Sequence, residues 1–139
     1  MIDGTLAQGL SDAGIRWQPA NGDWFCLDTS DVEPWLIAPG AVELGLHDGE
    51  PVLMFHGASE WAMDAVHAVD AIWLPSEQQA RLLLMEHVEG HAVVTLESRV
   101  EGVRCRVQHD DWMYESSAVH AVDAYASVLL AVLHGERER

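Results

Sequence analysis

Ala65-Val66-His67-Ala68-Val69-Asp70-Ala71 recurs, residue for residue, as Ala118-Val119-His120-Ala121-Val122-Asp123-Ala124. If both copies are helical, each presents a His-x-x-Asp pair at positions i and i+3. Two imidazoles and two carboxylates are a donor set that metal sites between helices use. The competing reading is a solvated stripe. On a helix, His120 and Asp123 project away from Val119, Val122 and Leu129, while His67 aligns with Glu60 and Asp64. The flanks Trp61-Ala62-Met63 and Glu115-Ser116-Ser117 do not agree, so the match implies no duplication. The metal candidates are therefore His67, Asp70, His120 and Asp123, with His56 beside them. The solvated stripe is preferred, and no metal or cofactor is expected.

His56 stands at the end of an apolar strand, before Gly57 and near Ser59 and Glu60. Loops at strand ends host functional groups, which makes it the best single histidine, although the sequence shows it no orienting partner. The other histidines form no His-Glu-x-x-His or zinc pattern, and Gly90 separates His87 from His91. Nucleophilic catalysis finds no Gly-x-Ser-x-Gly turn and no cysteine in a recognisable histidine context. A phosphate-binding loop in its usual form needs a lysine, and the chain has none. Asp110-Asp111 reads as a turn rather than as an acid and base pair.

The elements that would carry these residues are legible from spacing. Leu6, Leu10 and Ala13 predict a first helix over Thr5–Ala13, stopped by Gly14. An Asn21-Gly22 turn leads to a strand over Asp23–Leu27. Trp35–Ile37, Ala41–Leu46 and Val52–Phe55 continue as strands, with Asp48-Gly49 as a hairpin signal between the last two. Ser59 is a cap for a helix over about Glu60–Val69, and Ala71–Leu74 is its end or a short edge strand. Pro75, Ser76 and Gln79 mark the start of a helix that runs to about His87, with Ser76 and Gln79 as a capping box. His91–Glu97, Gly102–Val107 and Trp112–Glu115 form a second meander. Ser116 or Ser117 caps a last helix over Ala118–His134, closed by Gly135. The order α-β-β-β-β-α-α-β-β-β-α predicts an α+β fold over residues 1–139, one compact domain with helices packed on a largely antiparallel sheet.

Charge bounds the partners. Twenty-three acids oppose seven arginines, a net of −16, and residues 1–70 hold twelve acids against Arg16 alone. Such a field repels phosphate backbones and anionic lipid, so neither nucleic acid nor membrane is an expected partner, whereas basic proteins and cations are. Cys26 and Cys105 read as reduced buried thiols of a cytoplasmic protein, with a single long-range disulfide as the alternative. No leader-like N-terminus or long apolar run is present. Of the six tryptophans, most are expected in the core, with Trp17 and Trp35 as candidates for an exposed aromatic patch.

Arg16-Trp17-x-Pro19, Gly22-Asp23, Glu60-Trp61-Ala62 and Trp73-Leu74-Pro75-Ser76-x-x-Gln79 together resemble a small family of soluble proteins from high-GC bacteria, some of which carry a pilus-assembly label. The resemblance covers most of the chain and rests on structural residues. It implies a compact α+β domain, no known activity and no functional residue. The resulting expectation is a non-catalytic, acidic module that binds or regulates an as yet unidentified protein partner, with a homodimer as one arrangement and the loops around His56 and Asp28–Trp35 as its working surface. The alternatives are a metal protein or enzyme using the His/Asp pairs, and an acidic inhibitor that mimics nucleic acid.

Overall fold

Asp3 opens the chain's first ordered element. Its Oδ1 accepts the backbone N–H groups of Thr5 at 2.8 Å and Leu6 at 3.3 Å, satisfying two orphan donors of helix α1 (Gly4–Asp12). The computed structural model describes residues 1–30, 33–56 and 65–135. After α1 come strands β1 (Trp24–Cys26), β2 (Trp35–Leu36), β3 (Val42–His47), β4 (Glu50–Phe55), β5 (Ala65–His67) and β6 (Ile72–Leu74). Helix α2 (Glu77–His87), strands β7 (Val93–Arg99), β8 (Gly102–Gln108) and β9 (Met113–Ala118), and helix α3 (Ala121–His134) complete the described chain. The fold is α+β, as the pattern predicts, and its strands form three antiparallel three-stranded sheets: β2-β1-β6, β3-β4-β5 and β7-β8-β9.

Several local signals act as their chemistry requires. Ser76 Oγ accepts the Gln79 N–H at 3.1 Å while Gln79 Oε1 accepts the Ser76 N–H at 2.9 Å, the reciprocal capping box of α2. Asp48 and Gly49 both take positive φ, 52° and 80°, the hairpin geometry whose twist matches the flanking strands β3 and β4. Gly135 ends α3 with φ 73°, in the left-handed region.

Two stretches differ from expectation. The predicted second helix fails over its described part: Ala65–His67 is β5, paired with β4 through Met54↔Ala65 and Val52↔His67, and Ala68–Asp70 is one 3-10 turn. Ser59 and residues 60–64 of that prediction lie outside the described residues. Alanine and valine suit a strand edge as well as a helix face, and cross-strand pairing with the apolar β4 decides. Likewise β9 runs through Ala118, opposite Val103, so neither Ser116 nor Ser117 caps α3; His120 occupies the N-cap position, without a side-chain cap bond. Val119, expected inward, is 72% exposed as a result.

The core is divided in two. The larger part is built on α3, whose Val122, Ala124, Tyr125, Ala126, Val128 and Leu129 are all buried. This helix touches α1, α2, β8 and β9, so almost its whole circumference is covered. Gly9 of α1 lets it approach α3; a Cβ there would sit 3.2 Å from Leu130 Cδ1. The smaller part holds Phe25, Ile37, Val42, Leu53 and Ala71. Strand β1 divides them by its pleat: Phe25 faces the smaller part and Cys26 the larger. Directly paired residues share a face, so Trp35, Phe25 and Trp73 form one row across β2-β1-β6. Trp17 and Phe55 pack onto that row, with Trp17–Trp73 stacked at 6.4 Å and Trp35–Phe55 edge-on at 4.9 Å.

None of the five described tryptophans is fully buried, a correction to the expected core placement; Trp61 lies outside the described residues. Trp35 is 44% exposed and Trp24 37%, in keeping with a side chain so large that it is seldom fully covered. Cys26 and Cys105 are both buried, and no disulfide joins them. Burial pushes the Cys105 thiol up to about 12. Among the described residues, no helix is long and apolar enough to cross a membrane.

Candidate functional site

Asp23 is the only buried charged side chain among the described residues, 6% exposed. Its carboxylate is fully engaged. Oδ2 accepts from Trp17 Nε1 at 2.9 Å and from the Ala20 N–H at 3.1 Å, and Oδ1 accepts from Gln79 Nε2 at 2.8 Å. A buried carboxylate is tolerated only when such donors replace water. Gln79 thus serves twice, as the capping partner of Ser76 and as a tie between α2 and the segment before β1. Residues separate in sequence, Trp17, Asp23, Trp73, Ser76 and Gln79, therefore belong to one arrangement.

What this arrangement positions is an indole. Held at its nitrogen by Asp23, Trp17 stacks on Trp73 with an interplanar angle of 6° and leans on Phe25 at 5.7 Å. The pair forms one wall of a cleft of about 420 Å³. Leu10 and Ser11 of α1 form a second wall, Glu50 and Pro51 at the start of β4 a third, and Ala68 and Val69 of the 3-10 turn the floor on the remaining side. The Trp73 Nε1–H in this wall is buried and has no acceptor among the described residues. A shallower hollow of about 320 Å³, lined by Pro19, Leu44 and Leu46, shares Trp17 and Pro51 with the cleft. Arg16, the single cation of residues 1–70, also lines the cleft.

The histidines fall elsewhere. His56 has an orienting carboxylate that the sequence did not reveal: its Nε2 lies 3.0 Å from Glu43 Oε2, because the β3–β4 register brings Glu43 opposite Met54, two residues from His56. The Gly40 N–H, which Glu43 Oε1 accepts, holds the Glu43 carboxyl below the usual glutamate range, and His56 adds to the effect. Ser59 and Glu60, the neighbours expected around His56, lie outside the described residues. His67 packs its ring on His47 at 5.8 Å, a contact across β4 between the two outer strands of their sheet that spacing along the chain hides. Asp70 is exposed at the end of the 3-10 turn. Asp123 Oδ1 accepts the Asp3 N–H at 2.8 Å, which ties the start of α3 to the start of α1. The repeated sequence therefore yields a strand and turn in one copy and a strand end, cap and helix start in the other. No group of three or more His, Cys, Asp or Glu side chains converges on a metal position among the described residues. In the acidic loop, Asp28 Oδ1 accepts both the N–H and the Oγ–H of Ser30 at 2.8 Å, and these bonds lower its pKa.

Compared with family models, with curated proteins and with solved structures, the chain matches none. The site is therefore read from its geometry alone.

Chemically, the cleft offers aromatic and aliphatic walls with a few polar groups at its edge, the usual make-up of a binding site. The sequence alone marks Asp23, Trp73 and Gln79 as structural residues and Trp17, with Trp35, as a candidate for an exposed aromatic patch, while function is expected on the acidic loops. The signal present was the pairing of a tryptophan before a Pro-x-x-Gly turn with a second tryptophan before a helix cap. Nothing in one sequence states that these two tryptophans meet.

Proposed function

We propose that the protein is a non-catalytic binding module and that its binding site is the cleft between α1 and β6. The observation that carries this reading is the Trp17–Trp73 stack, fixed by a buried carboxylate and facing a concavity of about 420 Å³. Rigid aromatic surface supplies large contact area at small entropic cost, and side chains locked by a second layer of hydrogen bonds hold their shape for a ligand. The Asp23 network is that second layer. The charge of −16 fits an interaction module whose partners are not anionic polymers.

Nuclear magnetic resonance tests the reading through the indole N–H signals. Indole itself, as an apolar probe, is titrated into labelled protein. The expected result is that the Trp17 and Trp73 indole signals and the amides of Ser11, Ala68 and Val69 move together and saturate. Saturable binding that leaves these signals in place, or no binding at all, refutes the cleft as the site.

A further inference from the structure

We infer that the cleft receives a basic segment of a partner protein, seating one apolar side chain against Trp17 while neighbouring Lys or Arg side chains pair with carboxylates on the rim. The inference rests on the proposed role of the cleft and adds the chemistry of its occupant. Glu50 lines the cleft directly, Asp12 follows the lining residue Ser11, and Asp70 follows the lining residue Val69. All three are exposed, and Asp48 joins them from the adjoining hairpin turn. Glu50 thus lines a cleft that carries one cation, Arg16, and Asp12, Asp48 and Asp70 stand exposed within two residues of a lining residue, in a half-chain whose net charge is −11. Low-dielectric aromatic walls below an anionic rim focus potential on whatever enters, raising the local concentration of cations.

The apolar part of the occupant follows from the floor and the adjoining hollow. Val69 and Leu46 are each 75% exposed, far more than large apolar side chains of a core flank, and Val69 lines the cleft while Leu46 lines the adjoining hollow, each with Trp17. Because both concavities share Trp17 and Pro51, they offer a longer track than a single side chain fills. An extended segment places successive side chains alternately, so one can enter the cleft while its neighbours reach the rim. The competing occupant is an apolar carboxylate bound to Arg16. It has the opposite charge requirement, so one experiment separates the two.

Two short peptides with the same central leucine, one flanked by arginines and one by glutamates, are titrated against the intact protein by calorimetry and tryptophan emission. The arginine peptide is expected to bind, to bind at least tenfold tighter than the glutamate peptide at low salt, and to lose much of that advantage at high salt, where surface charges are screened. Neutralising the rim with Asp12→Asn, Glu50→Gln and Asp70→Asn is expected to weaken it about tenfold, given exposed ion pairs of ordinary strength. The control Glu86→Gln, Glu89→Gln and Glu101→Gln removes the same net charge outside the cleft lining and is expected to change affinity less than about twofold. Circular dichroism confirms that both variants fold; all six positions are exposed. Equal or tighter binding of the glutamate peptide overturns the inference, as does equal weakening by the two triple variants. If indole perturbs the cleft but the arginine peptide does not bind, the inference fails and the cleft stands as the site; if neither perturbs it, both fall.

Discussion

Asp23→Ala removes the acceptor from three donors at once. Two of them, Trp17 Nε1 and Gln79 Nε2, are part-buried, and bonds from such groups to a carboxylate contribute about 1.5–3 kcal/mol each. The third, the Ala20 N–H, belongs to an exposed residue and regains water. The loss of about 3–6 kcal/mol is offset in part because no carboxylate need be buried, which leaves a net cost of about 3 kcal/mol. A domain of this size has about 5–15 kcal/mol of stability, and the melting temperature is expected to fall by about 10 °C. Urea unfolding followed by tryptophan emission and by far-ultraviolet circular dichroism measures the change. A double-mutant cycle with Gln79→Ala isolates the 2.8 Å bond, with an expected coupling of about 1–2 kcal/mol. Asp23→Asn is a graded control: one oxygen can still accept from Trp17, but an amide group faces Gln79, whose own oxygen is committed to Ser76. Its cost is expected to lie between wild type and Asp23→Ala. A change below about 0.5 kcal/mol for Asp23→Ala, or no coupling to Gln79, refutes the view of Asp23 as the tie between α2 and the Trp17 segment.

Gly102 has φ 151°, and a Cβ there would stand 2.5 Å from Ala118 O, a backbone atom; Gly102→Ala is expected to cost about 2–3 kcal/mol in urea unfolding. Cys105, with its thiol raised to about 12 by burial, is expected to resist a thiol reagent at pH 8 in folded protein and to react on unfolding, monitored by mass spectrometry. The Glu43 carboxyl is expected to titrate below the ordinary glutamate range by carbon-detected magnetic resonance. Because its folded pKa is lowered, its stabilising contribution is present above the unfolded value and is lost as pH falls through the folded one. His56→Ala should raise that midpoint only partway, since the Gly40 N–H is the larger cause.

Where local chemistry decides, the sequence was sufficient. The Ser76–Gln79 box, the Asp48-Gly49 hairpin and the Gly135 stop each depend on residues within four positions of one another, and each forms as read. Where alanine and valine leave helix and strand nearly equal, long-range pairing decided. Ala65–His67 follows β4 and Ala118 follows Val103, neither of which helical spacing can register. The cleft was illegible for a related reason. Trp17 and Trp73 are separated by most of the first half of the chain, and their contact depends on β1 pairing with β6. Asp23 looked like one acid among twenty-three until its burial and three donors distinguished it. His56 looked solitary because its partner Glu43 sits on the neighbouring strand.

The divided core gives the cleft a mechanical significance. Leu10 and Ala7 at its edge belong to the part built on α3, whereas Trp17 and Ala71 belong to the part shared by β1, β3 and β4. The two parts meet across the paired strands β1 and β6, with Cys26, Ile72 and Leu74 in the larger part and Phe25 and Ala71 in the smaller. Sub-global opening in proteins follows such seams, and hydrogen exchange reports it as two groups of amides with different protection. Anything lodged in the cleft touches both sides and binds only while they are in register. Occupancy would thus draw the two protection levels together, acting as a clamp on the molecule that houses it.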